Sequence, residues 1–186
     1  MTEKRRTTIL RILVLLGVMA FIAVLFIFRD QVKNLGNLGY VGIFLISIAA
    51  NATIIIPLPG VAFTTAMGAI FNPIGVAVAA GLGAAIGELT GYMAGFSGQG
   101  VVERAALYGR LTKWMKEHQN LAYLMIGILA FIPNPLFDLA GMASGALKLP
   151  LWKFLIACAI GKIFKMLMFA YAGYYSIGFI SRLFSR

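Results

Sequence analysis

Ile132-Pro133-Asn134-Pro135-Leu136-Phe137-Asp138-Leu139-Ala140-Gly141, followed by Ala159-Ile160-Gly161-Lys162-Ile163-Phe164-Lys165, decides how this chain must fold. The run is apolar enough for a bilayer, yet it holds prolines, an Asn, an Asp and lysines, which a plain spanning helix avoids. Proline lacks an amide donor and its ring clashes with the preceding turn, so Pro133 and Pro135 break a helix. Irregular backbone at membrane depth persists only when buried in protein or facing a wet cavity. The stretch therefore reads as a re-entrant break beside a functional site.

Composition sets the class. Of 186 residues, 61% are hydrophobic and 12% charged, whereas a soluble domain carries about 25% charged residues. The mean hydropathy is +0.91. These values point to an all-α polytopic membrane protein. The net charge of +10 fits Lys and Arg gathered on the cytoplasmic side; no basic, aromatic-rich soluble module points to nucleic acid. Cys158, the single cysteine, excludes an internal disulfide and sits in an apolar run as a packing residue. His118 is the single histidine, so a His/Cys metal centre lacks ligands. No cofactor is expected. No Ser/His/Asp or Cys/His set points to catalysis, so the chain reads as a non-enzyme.

The order of segments follows from length and breakers. Residues 1–38 read as a basic tail, an anchor helix over 9–28 and a short connection. At 1.5 Å per residue, the anchor reaches about 30 Å, enough for the hydrocarbon core. Residues 39–100 read as a first repeat: an arm to the break Pro57-Leu58-Pro59-Gly60, a short returning arm, then a crossing from 74 to 96. Residues 101–119 read as an amphipathic interfacial helix, with Leu107, Leu111, Trp114 and Met115 opposite Arg110, Lys113 and Lys116. Residues 120–178 read as a second repeat, and 179–186 as a basic tail.

The two repeats are aligned by their breakers. Ile56-Pro57-Leu58-Pro59 pairs with Ile132-Pro133-Asn134-Pro135, Met67-Gly68 with Ser144-Gly145, and Pro73 with Pro150. Ala85-Ile86-Gly87-Glu88 pairs with Ala159-Ile160-Gly161-Lys162. Glu88 follows Pro59 by 29 residues and Lys162 follows Pro135 by 27. Interrupted segments at matching places in two halves point to a transport site near the midplane, here built as an inverted repeat.

Charges inside a membrane cost on the order of 3 kcal/mol each, so Glu88 and Lys162 are expected either to pair or to share a wet cavity. Lys165, three residues on, lies on the same helix face as Lys162, and the two cations together suit a phosphate headgroup. Asp138 suits the N-terminus of the returning arm, with contact to the pathway as a second role. Asn51 and Asn134 stand at the breaks, able to satisfy freed backbone groups. Gly83, Gly87, Gly91 and Gly95 recur every four residues, a strip that admits close approach of another helix.

The motif at 132–141, with 159–165 after it, resembles the vacuole membrane protein 1 branch of the VTT domain group. The group is also called the SNARE-associated or DedA superfamily. Pro57-Leu58-Pro59-Gly60 and Gly87-Glu88-Leu89-Thr90-Gly91-Tyr92 look like the first half of the same domain, and the likeness covers roughly 39–178. It implies two opposed re-entrant hairpins and lipid translocation. The chain departs from the DedA pattern, with Ala130 and Leu136 where arginines are expected and Asn51 where a carboxylate is. That departure favours energy-independent phospholipid scrambling. The alternatives are a proton-coupled flippase of an anionic lipid carrier, such as undecaprenyl phosphate, and a non-transporting scaffold. Membrane phospholipids are the expected partners, with a second copy of the chain as a further candidate. The short length suggests a prokaryotic plasma (inner) membrane, N-terminus in the cytoplasm.

Overall fold

A computed structural model describes residues 16–17, 20, 23–25, 27–52, 60–98, 105–133 and 136–184, with backbone alone at 105–107 and 177–184. Most of the expected anchor helix, and Pro57, Pro59, Asn134 and Pro135, lie outside the described residues. The described chain is helical and contains no strand. Its helices are α1 (Arg29–Asn34), α2 (Asn37–Ala52), α3 (Gly60–Gly68), α4 (Pro73–Gly87), α5 (Leu89–Phe96), α6 (Ala105–Glu117), α7 (Gln119–Phe131), α8 (Leu136–Ala146) and α9 (Leu151–Phe184).

Proline and its neighbours set the boundaries. Asn72 caps α4, its carboxamide oxygen accepting from the amides of Ile74 and Gly75 at 3.0 and 3.3 Å. Pro73 takes the first helical position, where a missing amide hydrogen costs nothing. Ile132 is extended (φ −79°, ψ 130°), as the residue before Pro133 must be. Lys148 is left-handed (φ 53°), and the Leu149 amide reaches back to Ser144 O at 3.0 Å. That left-handed closure ends α8 before Pro150 starts the next turn.

Two helical stretches among the described residues are long and apolar enough to cross a membrane: Pro73–Phe96, formed by α4 and α5, and Leu151–Ser176 within α9. Both are apolar outward. Ile74, Val78, Leu82 and Ile86 form one exposed stripe, and Ile156, Ile160, Phe164 and Met168 another. Large apolar surface left open along a whole helix suits lipid rather than water. The 16 residues of α2 and 13 of α7 fall short of the ~20 that a crossing needs.

The packing exchanges elements between halves. α2 packs on α4 and α7 on α9, each arm against its own crossing helix. The returning arms do the reverse: α3 packs on α9 and α8 on α5. α4 and α9 pack on each other at the centre. Glycines make these approaches close. A methyl on Gly68 would overlap Ala170 O, and one on Gly173 would overlap Thr65 O. The matching contacts in the other half run from Gly95 to Met142 O and from Gly145 to Tyr92 O.

Side-chain contacts mark the two ends of the bundle. Tyr40, near the start of α2, packs on Phe71 with ring centroids 5.3 Å apart and lies against Gly75 of α4. At the opposite end, Tyr92 Oη donates to Leu149 O at 2.6 Å, and the Lys153 ammonium lies 5.6 Å from the Tyr123 ring centroid. α6 caps this second end. Its Met115 is buried in a cluster with Tyr92, Leu149 and Phe154, while Arg110, Lys113 and Lys116 are exposed.

The glycine strip needs correction. Gly83 lies against Phe44 O and Gly87 against Ile48 O of α2, whereas Gly95 faces α8. A methyl on Gly91 would meet nothing within 4 Å. The helix turns at Glu88 (φ −68°, ψ −9°), so a four-residue spacing that fits one straight face is divided between two partners.

Candidate functional site

The charged centre joins the two crossing helices, with one side chain added from an arm of each half. Glu88 occupies the turn joining α4 to α5, and Lys162 lies inside α9. Both are buried, and they form an ion pair through Lys162 Nζ and Glu88 Oε1. Asn51, one residue from the end of α2, accepts a second hydrogen bond from Lys162 Nζ at 3.0 Å. Its own amide nitrogen donates to Ser47 O at 2.9 Å. Asn51 thus serves its helix end with one side of the carboxamide and the ion pair with the other.

The second arm supplies Phe137, whose ring centroid lies 4.7 Å from Lys162 Nζ. A cation over a ring face gains electrostatic attraction without a further polar group. Asp138 stands exposed in the first turn of α8, favourably placed for the helix dipole. Of the six expected pathway residues, direct contacts join Asn51, Glu88 and Lys162. Asp138 follows Phe137 in the first turn of α8, and Lys165, half-buried, lies one turn beyond Lys162 along α9. The sixth, Asn134, lies outside the described residues. Of the expected breaks, Pro133 stands exposed between α7 and α8.

Sequence reading did not single out Phe137 as a partner of the ammonium. Its position between a break and Asp138 was the available sign. Nor did it assign packing roles to Gly68, Gly145, Gly161 and Gly173, because their partners lie in the other half or in another helix of the same half. Cys158 is fully buried among apolar side chains.

An apolar groove of about 810 Å³ opens outward between α7 and α9. Gly127, Ile128, Phe131, Ile156, Ile160 and Phe164 are among its walls, with Trp152 and Lys153 at one end. Gly161 also lines it, immediately before the buried ammonium. Among the described residues, no group of three or more His, Cys, Asp or Glu side chains is arranged to hold a metal ion.

Comparison with known proteins places this arrangement in a family. Vacuole membrane protein KMS1 of Arabidopsis thaliana is 37% identical over 101 aligned residues, covering 44% of this chain and 24% of the relative. The vacuole membrane protein 1 homolog of Dictyostelium discoideum is 63% identical over 45 residues, 23% of this chain and 11% of the relative. Human vacuole membrane protein 1 is 49% identical over 49 residues, 26% and 12% of the respective chains. The chain thus spans about a quarter or less of the length of these curated relatives. No solved structure matches it. The VTT domain model matches residues 58–175, which include α3 to α8, α9 as far as Tyr175 and the ion pair, and this membrane protein belongs to the VTT domain family.

Proposed function

We propose that the chain moves phospholipids between leaflets without an energy source, along a polar seam where two half-membrane arms meet. The observation that carries this reading is the buried Glu88–Lys162 pair, reached by Asn51 from one arm and Phe137 from the other. Replacing a buried ion pair by well-packed apolar residues is often neutral or stabilising. Charges kept at membrane depth therefore suggest a task beyond holding helices together.

The exchanged packing of α3 and α8 supports an inverted repeat with re-entrant hairpins entering from opposite faces. In that arrangement Glu88, Lys162, Lys165, Asp138, Asn51 and Asn134 line the headgroup path. Acyl chains stay in lipid or in the apolar groove between α7 and α9. Sliding a headgroup along such a path makes and breaks no covalent bond, so the protein acts as a non-enzymatic transporter with phospholipids as its partners. α6, apolar toward the bundle and basic outward, is the proposed interfacial helix. The relatives named above are eukaryotic and lend the prokaryotic plasma-membrane location no support.

Reconstitution into liposomes with headgroup-labelled phospholipid tests the function. The proposal requires inner-leaflet label to become accessible to an impermeant quencher. Movement that occurs only under a proton gradient would select the coupled carrier instead.

A further inference from the structure

We infer that the polar cavity at the Pro73 end of the bundle is a headgroup site for phosphocholine lipids. Its place in transport rests on the function proposed above; the binding itself does not.

The cavity, of about 580 Å³, is lined by Lys33 of α1, by Asn72 at the start of α4, and by Tyr171, Tyr174 and Tyr175 of α9. That size falls within the ~300–1,000 Å³ common for small-ligand sites. Positions 171, 174 and 175 lie on one helix face, and their rings form a mutual cluster. Tyr174 and Tyr175 meet edge to face at 5.3 Å between centroids, and Tyr171 stacks on Tyr175 at 6.0 Å. Tyr174 and Tyr175 remain 54% and 66% exposed, so ring surface is open to an incoming group.

Tyrosines scattered at a membrane interface form an aromatic belt. A belt accounts for rings at this depth, but not for three in contact around one cavity with a lysine among its walls. The chemistry of the lining selects a ligand carrying both charges. Lys33 is exposed and supplies a compact cation for a phosphate. The Asn72 oxygen is committed to its helix cap, leaving the amide nitrogen as a donor. Among the described residues, no carboxylate lines the cavity, so a primary ammonium would lack the acceptor it prefers. A quaternary ammonium donates no hydrogen bond and is recognised by aromatic faces instead. Phosphate at Lys33 with trimethylammonium on the tyrosine faces satisfies both sets of groups.

The test uses the full chain in digalactosyldiacylglycerol nanodiscs doped with a phosphatidylcholine bearing a photoreactive group near its headgroup. Adducts are expected on the 171–175 turn or on α1. Unlabelled phosphatidylcholine should compete about fivefold better than phosphatidylethanolamine or phosphatidylglycerol, the size of one cation–π contribution. The pair Tyr174→Phe/Tyr175→Phe keeps the ring faces and should label like the parent, whereas Tyr174→Leu/Tyr175→Leu and Lys33→Gln should each lose most labelling. Equal competition by the three lipids, adducts confined elsewhere, or equal labelling of the Phe and Leu pairs would overturn the inference. Labelling that follows this pattern without lipid movement would leave it standing and remove the transport proposal. Lipid movement with equal competition would do the reverse.

Discussion

Glu88 and Lys162, which form the buried ion pair, each follow the glycine at which a crossing helix meets its own preceding arm. Gly87 lies against Ile48 O of α2, and Gly161 against Gly127 O of α7. The two charges are thus equivalent in contact as well as in sequence, and they meet across the centre of the bundle. Phe137 lies over the Lys162 ammonium, Asn51 holds it from the opposite arm, and no side-chain polar atom buried among the described residues is left without a partner.

Removing one member of that pair leaves its partner charged in a low-dielectric interior. Glu88→Leu and Lys162→Met are each expected to cost about 3–5 kcal/mol, while the two substitutions combined cost far less than the sum of the two alone. Reversible unfolding in bicelles reads the cycle. A coupling below ~0.5 kcal/mol would mean that the two residues do not act as a pair.

Substituting the glycines separates true contacts from spacing. Gly95→Ala and Gly173→Ala each drive a methyl into a carbonyl of another helix, at a cost of about 1–3 kcal/mol. Gly91→Ala meets open space and should stay within about 0.5 kcal/mol of the parent. Thermal unfolding in one detergent compares all three, and equal losses would contradict the assigned packing.

The hydrogen bond from Tyr92 Oη to Leu149 O, at 2.6 Å, ties α5 to the turn before α9. Tyr92→Phe keeps the ring against Phe154, 5.2 Å away, and strands a buried carbonyl. The expected loss is about 1–3 kcal/mol. An unchanged midpoint of unfolding would show that Leu149 O is satisfied by another donor.

Cys158 is fully buried, so a maleimide should leave the folded protein unmodified and label it fully after denaturation. Rapid labelling in mild detergent would mean that the packing between α7 and α9 opens readily.

Much of this arrangement was legible because proline and charge are expensive in a bilayer. Pro73, Pro133 and Pro150 marked helix boundaries, and the opposite charges at Glu88 and Lys162 marked a meeting point. The glycine strip was misread in part because a spacing of four describes a straight helix, and the turn at Glu88 redirects Gly95 toward α8. Gly68 and Gly145 were visible as repeat markers, but their partners Ala170 and Tyr92 lie in the opposite half, where only tertiary topology brings them. The tyrosine cluster with Lys33 is not legible in the sequence for a related reason. Lys33 is remote in sequence from residues 171–175, and nothing local joins them.

The most direct measurement is quencher protection of headgroup-labelled phospholipid in proteoliposomes that carry no ion gradient. The account predicts that inner-leaflet label becomes reachable with the parent chain and stays largely protected with Glu88→Gln. Full protection with the parent chain, in vesicles shown to contain folded protein, would contradict it.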